Sequence, residues 1–226
     1  MFGKNFHPSN RVANGKTFRS RVAPFALATT LTALAIAVVA APAMTATAVS
    51  AQAVVKQVID RALPVLRDKQ TPLPNRRRQL RGLLEGHFDF HDMARIALGY
   101  HWRELNPSQR AEFVQLFTAF IENAYLSKIQ NYAGQEVQVL GQNSEGQGFA
   151  RVRSLVVQQG KEPIKVDYLL RQVNNDWKIY DVTVDNISII SNYRNQFNRV
   201  INDQGYAKLV ADMRAKQQQL QASLGS

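Results

Sequence analysis

His87 and His91 stand four residues apart, with Asp89 and Asp92 beside them. That spacing can bring imidazoles and carboxylates to one helical face, the arrangement a divalent metal requires. No HExxH order appears and no further ligand cluster stands near, so the stretch reads better as the entry to a helix. His101 adjoins Trp102 and reads as ring stacking. The enzyme alternative is a cone-shaped α+β hydrolase or dehydratase using His91, Asp92 or His101. Asp181 and Asp185 alternate with apolar residues and read as a solvated strand face, not a carboxylate dyad. The chain has no G-x-S-x-G elbow, no phosphate-binding glycine loop and no cysteine nucleophile. It offers little for bond-breaking chemistry, and no catalytic residue, metal or cofactor is expected.

Apolar residues carry more information than polar ones here, and they are spread over helices and strands that must be placed first. Residues 1–53 read as a secretory signal peptide: Lys4, Arg11, Lys16, Arg19 and Arg21 with no acid, then the apolar run "PFALATTLTALAIAVVAAPA", then small residues. Cleavage sites fit after Ala48, Ala51 or Ala53. An uncleaved anchor helix is the alternative, since the run is long enough to span a bilayer. Loss of the leader lowers the formal net charge from +11 to +6, so much of the basicity is targeting signal. The remaining excess favours anionic surfaces, lipid headgroups among them, and export argues against a nucleic-acid partner. Residues 54–226 suit a single domain with a sizeable core.

Helical periodicity marks Val54 to Asp68, a second helix from "RRRQLRGLLEGHF", a short helix ended by Gly99, and a long one capped by Asn106 and reaching about Tyr132. The cluster Arg76, Arg77, Arg78 and Arg81 reads as a solvated helix face, or else as a contact for lipid headgroups or an acidic partner. Beyond Gly134 the period becomes two. Four strands separated by "NSEGQG", "QQGKEP" and "NND" predict an antiparallel meander. Helices over about Ser188–Asn202 and Tyr206–Gln221 close the chain. The fold class is therefore α+β: one domain, with helices packed on one face of a curved, mostly antiparallel sheet of four to five strands.

The central helix carries Leu116, Phe117, Phe120 and Tyr125 on one stripe, and the closing helix carries Ile190, Tyr193 and Phe197. Inner strand positions are Val137 and Val139, then Val152 and Val156, then Val166, Tyr168 and Leu170, then Tyr180, Val182 and Val184, with Ile187 just beyond. Such residues fill an ordinary core, or they wall an apolar cavity. Composition does not decide between the two.

The stretch "FDFHDMARIALGYHWRELNPSQRAEFVQLFTAFIENAY", followed by "WKIYDVTVDNISIISNYRNQF" and a last helix started by Gly205, resembles the MlaC family of periplasmic phospholipid-binding proteins, also called the toluene-tolerance or auxiliary transport component family. The resemblance spans the mature chain. It implies an NTF2-like cavity in which the strand and helix positions just named hold acyl chains. It implies no enzyme activity and no cofactor other than phospholipid cargo. It implies a monomer that shuttles lipid across the periplasm to maintain outer-membrane lipid asymmetry. Its partners would be an MlaA-type outer-membrane lipoprotein complex, an MlaD-type MCE protein of an inner-membrane ABC transporter and, transiently, the membranes. A hopanoid-associated carrier of the same superfamily and an envelope interaction module with a filled core are alternatives. Arg95, Arg151, Arg153 and Arg194 are candidates for the headgroup rim, where a guanidinium fork would meet a phosphate. For Arg151 and Arg153 an outer solvated face or partner surface is the competing reading, and for Arg194 a structural ion pair.

Overall fold

The computed structural model describes residues 49–126, 132 and 134–225; the expected leader lies outside them up to residue 48. The helices are α1 (Ala51–Arg67), α2 (Leu73–His87), α3 (Phe90–Leu98), α4 (Pro107–Leu126), α5 (Ile189–Gln204) and α6 (Tyr206–Gly225), with a 3₁₀ turn at Gly99–Arg103. The strands are β1 (Glu136–Gly146), β2 (Phe149–Val157), β3 (Ile164–Val173), β4 (Asp176–Val184) and the short β5 (Ile187–Ser188). They form one antiparallel sheet in chain order, the α+β meander that alternation predicts.

Local chemistry sets the boundaries. Ser50 caps α1 by accepting from the Ala53 N–H at 3.1 Å, and Ala51 is fully buried, so the helix starts three residues before the expected Val54. Helix α2 starts at Leu73 instead of Arg76 because Pro74 falls in its first turn, where no N–H is needed. Asn106 and Gln109 form the expected reciprocal capping box, each accepting from the other's backbone N–H at 2.9 Å. Helix α4 is described only to Leu126, and Tyr132 lies in no helix; the expected extension over 127–131 falls outside the described residues. Hairpin turns use Asn174 and Asn175 (φ 50° and 68°) and Asp185 and Asn186 (φ 47° and 66°), residue types that tolerate the left-handed region two-residue hairpins require. Gly99 ends α3 at φ 59°. A Cβ there would also stand 3.4 Å from the Arg194 side chain.

Two main cores result. The helical core joins α3, α4, α5 and α6 through Met93, Leu98, Phe113, Phe117, Phe197 and Met213. The second packs Val55 and Ile59 of α1 on Val152, Leu170 and Ile179 of the sheet. Phe88 packs against both.

A β-bulge corrects the expected alternation of β4. Leu169 pairs with Asp181, but Leu170 pairs with Ile179, so Tyr180 is the extra residue. Tyr180 consequently leaves the inner face and meets the ring of Phe149, 6.0 Å away. Asp181 is not solvated either: it is 8% exposed. Its carboxylate accepts from Ser188 Oγ at 2.5 Å, Val182 N at 2.8 Å and Ile190 N at 3.2 Å. Ser188 in turn caps α5 through the Ser191 N–H at 2.9 Å. The bulge therefore supplies the acceptor that ties β4 to the start of α5. Asp181→Ala is expected to cost about 3 kcal/mol in urea-induced unfolding, since buried donors lose a charged acceptor; a loss below about 1 kcal/mol would contradict that role.

Candidate functional site

An apolar hollow lies where the two cores meet. Its volume is about 270 Å³, and it is lined by Leu84 of α2, Phe88, Phe90 and Met93 at α3, Ile121 and Tyr125 of α4, Val182 and Val184 of β4 and Ile189 of α5. Every one of these side chains is apolar but for the Tyr125 hydroxyl. A neighbouring groove of about 520 Å³ shares Tyr125, Val184 and Ile189 with it and adds Phe120, Ile187 and Tyr193. The shared residues Tyr125 and Val184 are 40% and 37% exposed and the groove's Ile187 66%, so the mouth of the hollow opens to water past apolar side chains, with Asp185, Ser188, Asn192 and Gln196 on the rest of the groove. Beyond the next row of the sheet lies a second hollow of about 330 Å³, walled by Leu63 and Leu66 of α1, Tyr132, Val137, Val156 and Ile164, with Gln135, Gln158, Lys161 and Glu162 also on its lining. Val166 pairs with Ser154 on one side and Val184 on the other, so it stands between the two hollows.

The phenols in this region stay neutral. Burial pushes the Tyr125 hydroxyl up to about 12, helped by its hydrogen bond to Tyr193. Burial likewise raises Tyr193, and it raises Tyr168, opposed by a hydrogen bond with Ser154. Behind the mouth, Glu122 of α4 is 4% exposed. Burial raises its carboxyl above the usual range, opposed by Arg81, whose Nε lies 2.9 Å from Oε2. The first hollow, lined by apolar side chains and one neutral phenol, suits retention of an apolar molecule.

The expected wall residues divide into groups. Tyr125, Val182 and Val184 line the first hollow, Val137 and Val156 the second, and Phe120, Ile187 and Tyr193 the groove. Val152 and Leu170 are fully buried under α1, with Val139 and Tyr168 packed beside them. Leu116, Phe117, Ile190 and Phe197 are packed helical core instead of cavity wall, because interlocked rings fill that space: Phe117 lies 5.9 Å from Phe113 and 6.3 Å from Phe197. The wall residues not anticipated are Leu63, Leu66, Leu84, Phe88, Phe90, Met93, Ile121, Ile164 and Ile189. Each is an apolar residue on a helix, a strand or their junctions, a signal that core and wall share.

The candidate rim arginines are not on a hollow wall. Arg95 lies 2.5 Å from Asp92. Arg151 meets Glu145 at 2.7 Å and Asp167 at 3.4 Å, on the sheet face opposite Val152. Arg153 shares that face and is exposed, as is Arg194, whose stem runs beside Gly99. The histidine–aspartate stretch is structural. Asp89 caps α3 through Asp92 N at 2.9 Å, and Arg171 lies 2.6 Å from Asp89 and 3.4 Å from Asp92. The ring on Trp102 is His91, edge-on at 5.5 Å, while His101 packs on Tyr100 at 3.9 Å. The expected His101–Trp102 stack is thus replaced by His91 on Trp102 and His101 on Tyr100. Among the described residues no group of three potential metal ligands occurs.

A meander sheet with helices against it and apolar hollows between them defines an α+β protein with room for an apolar molecule. The sequence model of the MlaC protein family matches residues 56–215, and the chain belongs to that family. It is 27% identical over 120 residues to the intermembrane phospholipid transport system binding protein MlaC of Haemophilus influenzae. That match covers 51% of this chain and 56% of the relative, so the chain spans little more than half of the relative's length. Its fold is similar to that of the phospholipid-binding protein from Ralstonia solanacearum, solved in complex with a phospholipid. The TM-score is 0.68 at 26% identity, over 76% of this chain and 98% of that one.

Proposed function

We propose that this protein is a periplasmic carrier of phospholipid between the outer and inner membranes. The observation that carries the reading is the wholly apolar hollow opening at Tyr125, Val184 and Ile187. Acyl chains entering it leave water at about 0.8 kcal/mol per CH₂ group, enough over a long chain to offset extraction from a bilayer. No bond changes, so the work is binding and release. Membership of the MlaC family and the likeness to a structure holding a phospholipid support the same reading. Its exchange partners would be an MlaA-type outer-membrane complex and an MlaD-type MCE protein of an ABC transporter. Native mass spectrometry of the exported protein, prepared without detergent, tests this. A mass excess that dissociates into phospholipid is expected. A bare polypeptide mass, unchanged after incubation with phospholipid vesicles, would favour an interaction module with a filled core.

Export by the leader is part of this proposal, and α1 discriminates among its cleavage sites. Cutting after Ala53 would remove the Ser50 cap and the buried Ala51, with a cap alone worth about 1 kcal/mol. Cutting after Ala48 keeps both. N-terminal sequencing of the exported protein is expected to begin at Val49; a start at Val54 would overturn this choice.

A further inference from the structure

Arg76 departs from the solvated face that its cluster suggests. Leu73, Arg76, Leu80 and Leu84 share one side of α2 at helical spacing. Leu80 belongs to a small apolar cluster with Leu126, against which Leu66, Leu73 and Leu84 pack. Arg76 is 7% exposed, and its Nε and Nη1 are buried with no hydrogen-bond partner. A buried guanidinium without a counterion is costly, and such an orphan calls for an occupant.

The surroundings point to an anion. From Arg67 to Arg78 the chain carries Arg67, Lys69, Arg76, Arg77 and Arg78 against a single acid, Asp68. Asp68 is already engaged: its Oδ1 accepts from Gln70 N at 2.8 Å and Thr71 N at 3.0 Å. Its carboxyl is held below the usual range chiefly by Thr71, with Arg76 contributing least. Helix α2 adds no acid in its first turn and no side-chain cap. The corner adjoins the second hollow. Leu66 both lines that hollow and packs against the Leu80–Leu126 cluster, which shares the Arg76 side of α2 through Leu80. Tyr132 of the hollow wall receives Arg67 Nε at its hydroxyl and Lys69 Nζ at its carbonyl, each at 3.4 Å.

We infer that the α1–α2 corner is a phosphate site centred on Arg76, which takes the headgroup phosphate of a lipid whose chain occupies the second hollow. The inference rests on the carrier reading. Arg supplies several donors to one phosphate and stays charged when buried, while the apolar hollow beside it accounts for an anion attached to a chain.

The test uses the full exported chain as wild type, Arg76→Met and Arg76→Lys, each stripped of lipid. Uptake is measured from vesicles containing phosphatidylglycerol or diacylglycerol of the same chains, and thermal melts are followed with inorganic phosphate. Wild type is expected to favour phosphatidylglycerol over diacylglycerol by about tenfold, the scale of one charged hydrogen bond. Arg76→Met should lose that preference while taking up diacylglycerol as wild type does, and it should melt no lower, since an unpaired buried charge has gone. Arg76→Lys should retain part of the preference. A phosphate-induced melt shift seen in wild type and absent in Arg76→Met would mark a site that also takes free phosphate; preference without that shift would mark one that takes the lipid headgroup alone. Undiminished preference in Arg76→Met overturns the inference, as does a melt lowered in Arg76→Met with no phosphate response in wild type. Failure of wild type to take up either lipid would sink the carrier reading instead.

Discussion

Phe117→Ala is expected to lower the stability of the fold by about 3–5 kcal/mol, the range for a buried phenylalanine truncated in a core. Phe117 is fully buried. It stacks near Phe113 and meets Tyr193 and Phe197 edge-on at 6.5 and 6.3 Å. Removing the ring leaves a void that three other rings cannot fill without leaving their own contacts. Against a typical total of about 5–15 kcal/mol, this is a large fraction, and the melting temperature should fall by about 10 °C. Lipid occupancy of the molecules that remain folded should change little, because Phe117 lines neither hollow. Urea unfolding and native mass spectrometry read the two quantities separately. A stability loss under about 1 kcal/mol together with a large loss of lipid would show that Phe117 faces cargo, and the division between core and wall drawn above would be wrong.

Val184→Glu should do the reverse. Val184 lines both the first hollow and its open groove and is 37% exposed. A carboxylate at that position reaches water, so the domain should keep a cooperative melt within about 1 kcal/mol of wild type, as partly exposed substitutions usually do. In the mouth, however, the charge would have to be desolvated before an acyl chain could pass it. Lipid carried from the periplasm is expected to fall at least about tenfold, the equivalent of roughly 1.4 kcal/mol. Wild-type lipid content in a folded Val184→Glu protein would remove the first hollow from the path of the cargo. Loss of the cooperative melt would mean that this position is filled core.

The pair of variants also separates what periodicity reveals from what it hides. Helices α4 and α5 and the four long strands were readable because apolar spacing of 3.6 or 2 follows from backbone geometry alone. The capping box at Asn106 and the asparagine turn at Asn174 and Asn175 are equally local, set by side chains a few residues from the backbone they satisfy. Phe117 and Tyr125 lie on the same α4 stripe, yet one is core and the other mouth. That difference depends on which helices lie opposite, and no local pattern contains it.

The bulge at Tyr180 shows the same limit within a strand. Strict alternation placed Tyr180 inside and Asp181 in solvent, whereas one extra residue turns Tyr180 off the inner face and the start of α5 covers Asp181. Its cause is non-local: the Asp181 carboxylate is stabilised by donors at Ser188 and Ile190, in the next two elements. Of the four candidate rim arginines, Arg151 found carboxylates on the two neighbouring strands, whereas Arg95 pairs with Asp92 one helical turn away. Arg76, whose neighbours in sequence suggest a wet helix face, was buried by Leu80 and the cluster packed around it.

From residue order alone came the α+β meander and the likeness to the MlaC family, because these depend on short-range periodicity and on motifs read along the chain. Where the hollows lie, which aromatic rings fill space and which arginine is buried with unpartnered nitrogens were settled by packing between elements distant in sequence. Burial is a property of the assembled layers, and a single residue acquires it only from its neighbours in space.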